Sequence, residues 1–239
     1  PATLEGKAVH NVQNAMFAAA LAYSMGKELD DIRHGLQTFT QTFFQAPGKM
    51  NIFEEHPFKV LLDYAHNPAA VRAISELCSK LDVNGRRIAV ISAPGDRRDE
   101  DIQEIAEIAA PHFDHFICKA DDNRRGRAND EVPQLMEKTL LTAGIKTAGI
   151  DVIPDEAGAV EAALSMGKEG DLVLILGDDI TRCWKQIVHF DSENTAPVDK
   201  SAKLKQDETV VEDFHFELEE GQKIIQDERG VRIAKEEAD

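Results

Sequence analysis

Between residues 46 and 190 short apolar runs rich in β-formers alternate with stretches of helical periodicity, and few architectures accommodate that rhythm. The runs are Lys59 to Tyr64, Arg87 to Ser92, His115 to Cys118 and Asp171 to Leu176. The helical stretches lie near 68–81, 99–110, 130–143 and 156–167. Such alternation reads as βαβ units around a mostly parallel, doubly wound α/β sheet of Rossmann-like kind. Strands this apolar are expected at its centre, covered on both faces.

The flanks have other rhythms. From Lys7 to Met25 an Ala- and Met-rich segment puts Val12, Ala15, Met16, Ala19, Ala22 and Met25 on one helical face, with Gly26 placed to end it. A second helix over roughly 29–39 follows, with Ile32, Leu36 and Phe39 expected inward, and Ala46-Pro47-Gly48 breaks the pattern. Beyond Phe190 the last 49 residues hold fifteen acidic and seven basic side chains, an acidic linker. From Phe214 onward apolar and polar residues alternate around Gly221 and Gly230, which predicts short β pieces in that tail.

Composition removes several function classes. A formal charge of −17 over 239 residues disfavours nucleic acid and anionic lipid as partners. No stretch approaches 18 apolar residues, so no membrane-spanning helix is expected. Cys78, Cys118 and Cys183 stand far apart without a CxxC pair, which indicates neither a zinc site nor a disulfide framework and fits a reducing cytoplasm. The chain opens on Pro1 and enters a helical pattern almost at once, as a piece of a longer protein would.

In open α/β sheets ligands collect beyond the carboxyl ends of the strands, so chemistry is sought in the loops that follow them. After the first strand, Asp63-Tyr64-Ala65-His66-Asn67-Pro68 crowds an acid, an imidazole and an amide before a helix that Pro68 can start. Asp63 suits a ribose hydroxyl pair and the helix start an anion; equally, Asn67 serves as an N-cap and Asp63 as a surface acid. Asp96, Arg97, Arg98 and Asp99 follow the second strand, where an arginine can fork onto a carboxylate or phosphate, or Asp99 can cap a solvated turn. Asp121, Asp122, Asn123, Arg124, Arg125 and Arg127 follow the third, a pocket for a zwitterion or a charged surface loop. Asp178 and Asp179 after the last strand read as structural acids at a helix start.

Two features precede the sheet. His10, Asn11 and Asn14 lie within about one helical turn, able to converge on one ligand or to cap the helix. Lys49 sits on a tight turn, within reach of a phosphate or as a surface lysine. None of the four Gly-Lys dipeptides is followed by Ser or Thr, so the phosphate-cradling GxxxxGK[ST] loop does not occur in this sequence.

Taken in order, residues 6–15, Ala46-Pro47-Gly48-Lys49-Met50 and Asp63 to Pro68 resemble the Mur ligase superfamily of ATP-dependent amide-bond-forming enzymes. Gln45 to Gly48, Gly95 to Ile102, Asp122 to Arg127, Gly177 to Gln186 and Gln226 to Arg232 resemble, more narrowly, the C-terminal part of the cyanophycin synthetase family. That resemblance covers essentially the whole chain. It implies the C-terminal helices of a central ATPase domain over 1–45, a Mur ligase C-terminal α/β domain over 46–190, and an acidic tail over 191–239.

The activity it implies is carboxylate phosphorylation by ATP with Mg²⁺, followed by attack of an amine on the acyl phosphate. An ATP-grasp half adds aspartate to the polymer backbone and the Mur-like module joins arginine to the aspartate side chain. Asn11 and Asn14 would approach the adenine, Asp63 the ribose and Lys49 the phosphates, with His10, His66 and Asn67 in the same cleft. Asp96 to Asp99 and Asp121 to Arg127 would face arginine, aspartate or the cyanophycin polymer end. No catalytic residue or metal ligand is assigned in this segment.

The phosphate loop, the Mg²⁺ ligands and the ATP-grasp half are expected upstream of Pro1, so the segment alone is expected to be inactive and the whole a cytoplasmic homo-oligomer. Mur-like ligases commonly carry Arg at the position of Lys49; Lys keeps the charge but loses the bidentate fork. A Mur-type ligase that polymerises Asp-Arg dipeptides, and a non-catalytic amino-acid-binding module, are the alternatives.

Overall fold

Six short strands carry the fold: β1 (Asn51–Phe53), β2 (Lys59–Asp63), β3 (Arg87–Ile91), β4 (His115–Cys118), β5 (Ile150–Val152) and β6 (Leu172–Leu176). Their spatial order is β1-β2-β6-β3-β4-β5, and every pairing is parallel except that of β1 with β2. The computed structural model describes residues 3–191, together with the backbone of two strands at 222–227 and 230–235. Residues 1–196 form one compact unit and residues 197–239 a second.

The apolar character of the strands follows from their place. Leu172 to Leu176 is buried at every position because β6 lies between β2 and β3 with helices on both faces. Alternate side chains feed two cores. Leu61, Ala89, Phe116 and Leu174 pack with α3 (Pro68–Lys80), α4 (Asp99–Ala109) and α5 (Glu131–Thr142), while Val60, Val90, Ile117 and Ile175 pack with α6 (Glu156–Met166) and α7 (Ile180–His189). This is the doubly wound sheet the alternation predicts. Edge strands β1 and β5, three residues each, escape that reading because three residues are too few to show a period.

The first two helices depart from expectation. α1 (Val9–Ser24) and α2 (Leu29–Thr38) form where predicted, yet neither buries a single residue. Val12, Met16 and Met25 are exposed, as are Leu36 and Phe39. Helical periodicity reports that a face is apolar, not what covers it. Here Ala15, Ala19, Ala22, Ile32 and Leu36 line an open groove of about 840 Å³.

In the second unit, β7 (Gln222–Asp227) and β8 (Gly230–Lys235) pair antiparallel with Ile224 opposite Ile233. The expected alternation from Phe214 to Gly221 lies outside the described residues.

Candidate functional site

At the carboxyl end of β2 the chain gathers several of the predicted residues around the 46–50 turn. Gly48 adopts φ +68°, and a Cβ there would stand 2.8 Å from Ile180, so only glycine lets this turn pass over α7. Met50 is held at φ +53°, a region costly for a non-glycine residue, by its N–H donating to Asp63 Oδ2 at 2.9 Å. His10 Nε2 lies 2.9 Å from the Met50 sulfur and Asn11 Nδ2 3.4 Å from it. Asn14 donates to Asn11 Oδ1. Lys49 Nζ stands 5.7 Å from the centre of the Tyr64 ring, which also packs against His66.

Burial shapes the charges here. It pushes the Asp63 carboxyl upward, against the Met50 N–H and the Lys49 charge, and it lowers the His10 imidazole. Asn67 caps α3, accepting from Ala70 N–H at 3.0 Å with Pro68 in the first turn. His66 Nδ1 contacts the Tyr64 carbonyl oxygen at 2.9 Å. Asn11, Asn14 and Lys49 also line the apolar groove between α1 and α2.

The loops after β3 and β4 are knit together. A Cβ on Gly95 would stand 2.1 Å from the Arg124 carbonyl oxygen, so only glycine permits this approach. Arg127 binds the carbonyl oxygens of Gly95 and Arg97 and the carboxylates of Asp99 and Glu131, all at 2.6 to 2.8 Å. Arg125 pairs with Asp96 at 2.7 Å and holds its carboxyl below the usual range. Arg98 pairs with Asp101.

These partners add to the sequence reading and correct it once. Arg125 and Arg127 reach across to Asp96 and Asp99 of the β3 loop, and the Arg125 charge also acts on Asp121. Asp99 is not the cap of α4 but its first residue, after Arg98. Among the described residues the side chains of Arg97 and Arg124 form no hydrogen bond or ion pair, although the Arg97 charge acts on Asp96 and Asp101.

Asp121 and Asp122 take their side-chain partners from Lys119 and Arg182, neither of which the sequence reading named as a site residue. Lys119, directly after β4, is fully enclosed, with Nζ 2.7 Å from Glu156 Oε2, 3.1 Å from Ser92 Oγ and 3.7 Å from Asp121. Glu156 accepts from the Asp178 and Asp179 N–H groups and from Arg182, and the Cys183 thiol donates to it at 3.3 Å. Burial acts to raise the Glu156 carboxyl, yet Lys119, these N–H donors and Arg182 together hold it down at about 2. Arg182 also grips Asp122 at 2.8 Å, and Asp178 accepts from Asp122 N–H at 3.0 Å. Burial and the neighbouring Asp121 push the Asp178 carboxyl up. Asp179 caps α7 through Arg182 N–H, the structural role expected of it.

No composition signal marks Lys119 or Glu156. One hint was available: a lysine that directly follows a four-residue buried strand cannot reach solvent easily and needs an anion close by. Among the described residues no helix is long and apolar enough to cross a membrane.

Comparison with known proteins places this geometry in a family. Residues 48–178, more than half of the chain, match the Mur ligase, glutamate ligase domain. Cyanophycin synthetase from Crocosphaera subtropica is 39% identical over 182 residues, 76% of this chain and 20% of that protein. The chain thus spans about a fifth of the length of such relatives.

Among solved structures, E. coli FolC in complex with DHPP and ADP superposes with a TM-score of 0.57 at 28% identity, covering 73% of this chain and 38% of that one. MurC from Thermotoga maritima shares the fold, with a TM-score of 0.56 at 18% identity over 75% of this chain and 37% of that one. The carboxyl-edge loops described above therefore sit on a known scaffold, and the chain belongs to the Mur ligase family.

Proposed function

We propose that this chain supplies the amino-acid-receiving α/β domain of an ATP-dependent amide ligase of the cyanophycin synthetase kind, acting in arginine addition to an aspartate side chain. The observation that carries this reading is the fusion of the loops after β3 and β4 into one surface at the carboxyl edge. It carries the Arg97 and Arg124 guanidinium groups, which form no ion pair, on the same carboxyl edge of the sheet as the acidic Asp121, Asp122 and Asp178. Cations there suit the α-carboxylate of an amino acid or the acidic polymer end, and the acids suit a guanidinium. Identity to cyanophycin synthetase over three quarters of the chain supports the substrate class.

The residues at the end of β2 fit a nucleotide. An apolar groove edged by the Asn11 and Asn14 amides suits a base, Asp63 suits a ribose, and the Lys49 ammonium suits a phosphate. Bound ATP with Mg²⁺ supplies the phosphoryl group that activates a carboxylate toward an amine. The Mg²⁺ ligands and phosphate loop belong to the remainder of the ligase in this reading. Residues 1–45 close its ATPase domain and use the exposed faces of α1 and α2 for that contact. A cytoplasmic location and homo-oligomeric assembly follow the same reading.

The test is phosphate release and arginine incorporation by a ligase of full family length carrying this segment, given ATP, Mg²⁺ and a cyanophycin primer. Arginine-dependent turnover that is lost on deleting residues 46–190 is the expected result. Turnover with Asp-Arg dipeptide alone would select the dipeptide-polymerising alternative, and no stimulation by any amino acid would select a binding module. Within an active enzyme, Asp121→Asn with Asp122→Asn raises the KM for arginine far more than that for ATP.

A further inference from the structure

A fully enclosed lysine and glutamate pair is a poor device for stability, because well-packed apolar residues of the same volume do as well or better. The Lys119–Glu156 pair calls for a different account, and the position of its partners supplies one. Ser92 follows β3, Lys119 follows β4, Glu156 opens α6 after β5, and Asp178 and Asp179 follow β6. Four neighbouring parallel strands thus send their carboxyl-end loops to one buried hub.

We propose that Lys119, Glu156 and Arg182 are positioning residues that set the spacing of the amino-acid-contacting loops, and with it the recognition of a cationic amino acid. The inference rests on the functional reading above. Arg182 spans Glu156 and Asp122 at 2.7 and 2.8 Å, so the partly exposed Asp122 carboxylate hangs from the buried glutamate. Asp178 is tied twice, by its own N–H on Glu156 and by its carboxylate on Asp122 N–H. Asp121, nearly buried, lies 3.7 Å from the Lys119 ammonium. Two cations therefore hold the carboxylates of Glu156, Asp121 and Asp122, a backbone N–H holds that of Asp178, and the anionic excess left at the mouth is matched by a substrate guanidinium rather than by a neutral or acidic side chain. None of the three hub residues need touch substrate; each acts through the aspartates it holds.

The test uses a ligase of full family length carrying Lys119→Met with Glu156→Gln, which removes both charges at nearly constant volume. The arginine KM rises about tenfold or more, while the ATP KM stays within about twofold of wild type. Rescue is expected from the Lys119→Arg single variant only in part, since a guanidinium is bulkier than the enclosed ammonium. If the double variant melts early, Arg182→Lys serves instead: the charge remains, the two-pronged reach is lost, and the arginine KM must rise.

A folded variant with a wild-type arginine KM overturns the inference alone, as does an equal rise in both KM values. A wild-type ligase that ignores arginine overturns the functional reading and the inference with it.

Discussion

The α/β body and the two helices that precede it have similarly apolar faces and use them in opposite ways. In the body every residue of β6 is buried, and facing helices close both cores from within the same unit. In α1 and α2 the apolar residues stand outward, with Met16, Phe17 and Leu21 each about two thirds exposed, and no residue of either helix is buried. An apolar stripe is a demand for a partner, and only the body contains its own.

That contrast can be broken or sharpened by substitution and by pH. The largest effect is expected in the body from Lys119→Met, which removes the fully enclosed one of the two cations that stand 2.7 Å from Glu156; urea unfolding of the 239-residue chain should register a loss of about 3–5 kcal/mol. A loss under about 1 kcal/mol would mean that water reaches the hub.

Next is the acid limb of stability. The Glu156 carboxyl is held at about 2 against an ordinary 4.5, so the folded state binds its proton less readily than the unfolded chain. The stabilisation is present above the unfolded value and disappears as pH falls from about 5 to about 2, with a size on the order of 3 kcal/mol. Asp63 and Asp178, raised in the folded state, oppose it: their shifts favour the fold at low pH and cost stability as pH rises through them. Urea midpoints measured from pH 7 to pH 2.5 should therefore fall less steeply for Glu156→Gln than for the wild type, and parallel curves would refute the assignment.

A smaller loss, about 1–3 kcal/mol, is expected from Gly95→Ala, because its Cβ must push the Arg124 carbonyl away and part the β3 and β4 loops. Hydrogen exchange should localise the damage to residues 94–98 and 123–127. The least effect is expected on the helices: Phe17→Ala, at a side chain 70% exposed, should leave this chain within about 0.5 kcal/mol of wild type. In a complete ligase, where the functional reading has that face covered, the same change should cost several times more; equal costs in both contexts would remove the case for a partner on α1 and α2.

Legibility in the sequence divided along similar lines. Although α7 was legible only as a helix start after β6, the four central strands and helices α3 to α6 were readable within a residue or two, since burial on both faces forces continuous apolar runs. So was the collection of polar residues at the strand ends, including Asp63, Asp96 and the 121–127 loop. Their pairings were not. Arg125 and Arg127 look beyond their own loop to Asp96 and Asp99, and Asp122 is held by Arg182 from a helix 60 residues later. Edge strands β1 and β5 were missed because their three residues display no period.

What the sequence determined unaided was the architecture, because a period of 2 or 3.6 and the turn chemistry between elements are local properties of the chain. It also placed the candidate chemistry at the carboxyl edge, since that edge is a consequence of the parallel topology. Only the tertiary structure decided which charges neutralise one another, which arginines form ion pairs, and that Lys119 and Glu156 meet in the interior. Those outcomes depend on distances between loops far apart in sequence, where Coulomb energy and desolvation are set by the assembled fold rather than by any neighbouring residue.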